Sequence, residues 1–193
     1  MRKFALVAAA AVAVASTPAL ASTSGLYAGV GVTHENVSTS ADLEGIGFSG
    51  IGGTVFAGYN IPAGDNLFVG VEANFDLSSA KVGDATAATE IDNAFGFSGR
   101  LGVNLNEKTS LYGRVGYQRG RFSVTELGQN VQESLDGLRL GAGVETAVSE
   151  KVSLRAEYGR THYTLSKVER DALAQAKGGF NNDQFSLAVV FGF

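Results

Sequence analysis

NLFVGVEANFDL, Asn66 to Leu77, alternates along its length: Leu67, Val69, Val71, Ala73, Phe75 and Leu77 share one face of an extended chain, while Gly70, Glu72, Asn74 and Asp76 share the other. Successive side chains of a strand point to opposite sides, so this is a strand with one apolar and one polar face. The pattern recurs. Phe95, Phe97, Leu101 and Val103 oppose Ser98, Arg100, Gly102 and Asn104; Leu138, Leu140, Ala142 and Val144 oppose Arg139, Gly141, Gly143 and Glu145; Val152, Leu154, Ala156 and Tyr158 oppose Ser153, Arg155 and Glu157. Eight such segments are predicted, at 25–37, 49–61, 66–78, 92–105, 109–122, 135–148, 151–165 and 181–193.

Alternation alone also suits a soluble sandwich, whose apolar faces make the core. The connections separate the two cases. Short turns at Pro62-Ala63-Gly64-Asp65, Asn106-Glu107-Lys108 and Ser149-Glu150 alternate strictly with longer polar links at 38–48, 79–91, 123–134 and 166–180. One end of the sheet thus holds every short turn, the arrangement of an outer-membrane barrel with short periplasmic turns and longer extracellular loops. In hydrocarbon every backbone N–H and C=O must be paired within the protein, so a spanning sheet has to close on itself. The expected fold is all-β: an eight-stranded antiparallel up-and-down transmembrane barrel, apolar side chains toward lipid and charged ones inside. Tyr59, Phe193 and Tyr27 are expected at the periplasmic boundary and Tyr117, Tyr158 and Phe75 at the outer one, as interface aromatics.

The N-terminus agrees with export. Met1-Arg2-Lys3 precedes an apolar run from Phe4 to Ala15, followed by small residues at Ala19 and Ala21. This is the make-up of a secretory signal peptide, with cleavage expected before Ser22. Residues 1–21 are then the signal and residues 22–193 one barrel domain. Taking Arg2 and Lys3 from the 15 basic residues leaves 13 against 19 acidic ones, net −6, which argues against nucleic acid as a partner. There is no cysteine, which removes disulfides and thiolate metal sites, and no cofactor or metal site is expected. Glycine, at 26 of 193 residues, is about twice its usual share of roughly 7%, as suits strands whose neighbours approach closely.

An eight-stranded barrel is just wide enough for side chains to fill. The inward register carries Glu72, Arg100, Arg114, Arg139, Glu145, Arg155 and Glu157. Unpaired charges in so narrow a space are costly, so these seven are expected to form an interior ion-pair network. A structural plug is one outcome, and a switchable gate for small solutes is the other.

Other motifs carry less. GIGFSG, Gly45 to Gly50, has dinucleotide-loop spacing, but a polar loop precedes it and a strand follows, where a nucleotide site needs a strand, then a helix. His162 near the outer end of its strand raises the possibility of a lipid A-modifying enzyme, with Glu157 and Ser166 as available partners. Position 164, on the same face, is Thr, and no nucleophile motif is recognisable. His34 is placed similarly. The four outer loops, with DLEG, KVGDATAATEID, TELGQNVQESLD and KVERDALAQAK, are where a host or surface ligand would be met, and the last has the composition of a short helix.

On the signal, the eight alternating strands, the sorted loops and the terminal FSLAVVFGF, the chain resembles the small outer-membrane barrels of the OmpA-like, OmpX-like and opacity-protein group. The resemblance implies a monomeric barrel in the outer membrane, in contact with its lipid and lipopolysaccharide, carried by periplasmic chaperones and inserted by the barrel-assembly machinery. It also implies that Phe185, Leu187, Val189, Phe191 and Phe193 form the assembly signal, and that the role is structural or surface-interacting rather than catalytic.

Overall fold

The computed structural model describes residues 24–39, 47–79, 81–83, 87–126, 129–164 and 180–193. The predicted signal peptide, its cleavage site at Ala19, Ala21 and Ser22, and the helix expected in the last loop lie outside the described residues.

Nine strands are present among them: β1 (Gly25–Thr39), β2 (Gly47–Pro62), β3 (Leu67–Leu77), β4 (Lys81–Gly83), β5 (Ala87–Asn104), β6 (Thr109–Glu126), β7 (Gln129–Ala147), β8 (Val152–Thr164) and β9 (Phe180–Gly192). Every pairing is antiparallel. The order runs β3-β2-β1-β9-β8-β7-β6-β5, and β3 pairs with β5 from Leu67↔Val103 to Leu77↔Asn93, which closes the sheet. The eight long strands thus form the closed barrel that the alternation predicts, while β4 is a three-residue extension paired only to β5.

The turns at one end are short and locally determined. Gly64 in the β2–β3 turn has φ +123°, a conformation that favours glycine. In the β5–β6 turn the Asn106 side-chain carbonyl accepts the backbone N–H groups of Lys108 and Thr109, both at 2.9 Å.

At the other end the structure carries strands into two of the four longer polar links, 79–91 and 123–134. Residues 123–126 and 129–134 continue β6 and β7 as a paired ladder, Val124↔Val131 to Glu126↔Gln129, and residues 87–91 extend β5. Polar alternating sequence reads as a loop, yet above a membrane a strand needs no apolar face. Backbone pairing carries the hairpin outward. GIGFSG has the same fate: from Gly47 it belongs to β2, paired antiparallel with β1, so no helix follows the glycines.

The barrel is inverted relative to a soluble protein. Val71, Phe97, Leu101, Leu140, Leu154 and Leu187 are all more than half exposed on its outside, whereas the buried residues inside are mainly polar or charged. Such an outer surface is stable only against lipid.

Candidate functional site: the lumen and the outer rim

All seven charged residues expected inside are there, each no more than 6% exposed. They come from five strands, β3 and β5 to β8, and guanidinium groups from three of these converge on Glu72 of β3. Its Oε1 accepts from Arg114 Nη1 at 2.9 Å, and its Oε2 accepts from Arg155 Nη1 at 2.6 Å, with Arg100 Nη1 3.5 Å away. Glu145 accepts from Arg155 Nε at 3.0 Å and lies 2.9 Å from its Nη2, with Arg100 Nη2 at 3.7 Å. Glu157 takes Arg114 Nη1 at 2.9 Å and lies 3.5 Å from Arg139 Nη2. Each arginine therefore faces more than one carboxylate, the condition under which buried charges are tolerated.

The network is larger than the sequence reading. Asp76 is a fourth carboxylate in contact with the guanidinium groups, 3.1 Å from Arg139 Nη1, and it also accepts from Gln118 and Asn74, each at 2.9 Å. Glu35 is buried nearer the outer end and accepts from Ser78 at 2.7 Å and Gln184 at 2.9 Å. Gln184 in turn accepts from Arg139 Nη2.

Two tyrosines complete the network. Tyr112 donates to Glu157 at 2.6 Å, and its ring lies 3.9 Å from the Arg100 guanidinium carbon. Tyr27 donates to Glu72 at 2.8 Å and accepts from Arg100 at 2.5 Å. This corrects the expectation of Tyr27 at the membrane boundary. It is fully buried, and its ring meets Phe56 edge-on at 6.5 Å. The physical reason is register: Tyr27 has the parity of Gly29 and Gly31, which face inward. Asp76 already stood on the polar face of Asn66 to Leu77, and Tyr27 and Glu35, eight residues apart on one strand, were both findable by extending the two-residue count.

Inward glycines make room for these groups. A Cβ on Gly143 would sit 2.4 Å from the Tyr112 hydroxyl, and one on Gly141 3.0 Å from Arg114 Cγ. What remains between Glu72, Arg114, Arg139, Arg155 and Glu157 is a cavity of about 10 Å³, room for roughly one water molecule.

On the outside, Tyr59, Phe75, Tyr117 and Tyr158 stand exposed toward the two edges of the apolar band, as expected of interface aromatics. His162 is also outward, with Nδ1 2.8 Å from Asn181 Oδ1. Glu157 faces inward from the same strand, so the barrel wall separates it from His162 and it cannot orient that ring. Ser166 lies outside the described residues. His34 is outward on β1.

The terminal strand fits its expected faces. Phe185, Leu187 and Phe191 are exposed outward, while Ser186, Ala188 and Val190 are buried inward. Val190 and Ala188 pair with Gly29 and Gly31, and the Phe193 N–H reaches the Leu26 carbonyl at 3.0 Å, completing the β9–β1 junction.

Comparison with known proteins agrees with this architecture. The 22 kDa outer membrane protein of Rhizobium leguminosarum bv. viciae is 30% identical over 172 residues, covering 86% of this chain and 77% of its own length. The 31 kDa outer-membrane immunogenic protein of Brucella melitensis is 30% identical over 141 residues, 65% of this chain and 58% of its own. Among solved structures, Neisserial surface protein A superposes with a TM-score of 0.64 at 19% identity over 88% of this chain and 98% of its own. The attachment invasion locus protein of Yersinia pestis gives 0.60 at 16%, over 87% and 98%. The family model described as outer membrane protein beta-barrel domain matches residues 6–193, and the chain belongs to that family: it is an outer-membrane β-barrel protein.

Proposed function

We propose that this protein works at its outer surface, as a structural or surface-interaction barrel without catalysis, and that its lumen is a plug. One observation carries the reading: the lumen is filled by a cross-linked set of four arginines and five carboxylates, with room for about one water molecule at its centre. A lumen so occupied leaves little room for a solute, which turns the reading to the polar segments above the outer aromatics. Two relatives support the same direction. The Brucella protein is named immunogenic, and the Yersinia protein is named for attachment and invasion and has been crystallised with a heparin analogue. Binding of a host or surface ligand would then follow from loop sequence on a common scaffold.

Export by residues 1–21, delivery of residues 22–193 by periplasmic chaperones to the barrel-assembly machinery, a monomeric state, and an assembly signal in Phe185, Leu187, Val189, Phe191 and Phe193 are parts of the same proposal. The outward period-two placement of Phe185, Leu187 and Phe191 supports the last.

The test is a comparison of cells carrying the intact chain with cells whose segments 40–46 and 165–179 are replaced by short Gly-Ser sequences. Outer-membrane fractionation and heat-modifiable gel mobility serve as controls. Loss of adhesion to host cells or matrix with the barrel intact supports the reading, and unchanged adhesion contradicts it. The narrow-pore alternative requires ion conductance, which a filled lumen disfavours.

A further inference from the structure

We propose that the β6–β9 sector of the outer rim binds the phosphate groups of an anionic glycolipid in the outer leaflet, through two copies of one Tyr–Asp–Arg arrangement. The site rests on the orientation given above, with the long hairpins outside.

The two copies are visible in sequence once the structure shows where to look. RVGYQR, Arg114 to Arg119, and RAEYGR, Arg155 to Arg160, share R-x-x-Y-x-R at positions 41 apart. In both, strand parity sends the first arginine into the lumen and the tyrosine and second arginine outward. In both, an aspartate on the next strand receives them. Tyr117 donates to Asp136 Oδ1 at 2.5 Å, with Arg119 Nε 3.6 Å from the same oxygen. Tyr158 donates to Asp183 Oδ1 at 2.5 Å, and Arg160 bonds that carboxylate through Nε and Nη2 at 2.8 and 2.9 Å.

An exposed ion pair contributes little to stability, so fold alone gives weak reason to repeat the arrangement. What it does is hold a guanidinium by one edge and leave the rest in solvent: the Arg119 and Arg160 side chains are 48% and 56% exposed. Arginine's planar fork suits phosphate oxygens. Each guanidinium stands just beyond a tyrosine that borders the apolar band, the depth at which lipid head groups lie.

Among the described outward side chains, charge near the rim is one-sided. Arg121, two residues past Arg119, is a third outward arginine, and His162 follows Arg160 by the same step. Among the described side chains of this sector, three arginines stand against Asp136 and Asp183, a positive excess on a chain whose net charge is −4. Asn36, Ser49, Ile51 and Leu77, outward near the same end of β1–β3, carry no charge. The two clamps lie two strands and four residues apart, about 16 Å by ordinary strand spacing and rise, which suits two phosphates rather than one.

The test uses the full chain in phospholipid nanodiscs containing either bisphosphorylated lipid A or its dephosphorylated form, with retained lipid counted by native mass spectrometry. The wild type should retain the phosphorylated lipid in preference, and R119Q/R121Q/R160Q should lose about tenfold in that retention. D136N/D183N, which frees the arginines, should hold it at least as well. Should the triple variant fail to fold by heat-modifiable mobility, R160Q alone, with fewer charges removed, should show a smaller loss in the same direction. Equal retention of both lipids, or no change in the variants, overturns the site. Displacement by millimolar inorganic phosphate, or retention of polysulfated oligosaccharide in place of lipid, overturns the assignment to a lipid head group. A tag at 127–128 that proves inaccessible on intact cells would instead overturn the orientation.

Discussion

Arg155 of β8 donates to Glu72 of β3 at 2.6 Å, and the two strands stand on opposite sides of the barrel, four strands apart in either direction. A single bond therefore spans the lumen, and Glu72 collects Arg114 and Arg100 as well. Its carboxylate is the hub that lets three guanidinium groups share one narrow space.

Glu72→Gln should be the most damaging conservative change in the network, because it leaves those three cations with Glu145 and Glu157 alone. Breaking a buried ion pair from one side costs roughly 3–5 kcal/mol. Urea unfolding of the barrel in lipid vesicles should show a loss of that order. Glu145→Gln should cost less, since its close contacts are to Arg155 only. A larger effect for Glu145 would mean the hub is misassigned.

Gly143→Ala places a methyl group 2.4 Å from the Tyr112 hydroxyl, which is held by Glu157. Overpacking of this kind costs about 1–3 kcal/mol. Gly99, whose Cβ would meet nothing closer than 3.9 Å, is the matched control, and Gly99→Ala should be near neutral in the same assay.

Deleting Phe193, or adding a polar tail after it, removes or obstructs the β9–β1 closing contact to Leu26 and the end of the outward Phe185-to-Phe193 series. Slower insertion is expected, read as protein accumulating in the periplasmic fraction. Unchanged outer-membrane yield would contradict the proposed assembly signal.

Much of this molecule was legible before its structure. Antiparallel strands with one apolar face and sorted connections leave a single closed solution in lipid, so the barrel, its strand count and the inward set around Glu72 follow from counting by two. Counting fails where a residue's type argues against its parity. Tyr27 looks like an interface tyrosine, yet parity sends it inward. The upper hairpins were misread for a different reason: polar residues at 123–134 carry no burial signal, and only backbone pairing reveals the strands. The Tyr–Asp–Arg pairs were hidden because Asp136 and Asp183 lie on neighbouring strands, where no local pattern ties them to Tyr117 and Tyr158.

The claim that the lumen is sealed, and that function lies on the outer surface, meets its most direct test in planar bilayers. Purified protein should give no reproducible single-channel steps, and neither Arg100→Ala nor Glu145→Ala should open any, because Glu72, Arg114, Arg139 and Glu157 still bridge the space above them. Reproducible conductance from the wild-type barrel would contradict the account and restore the pore.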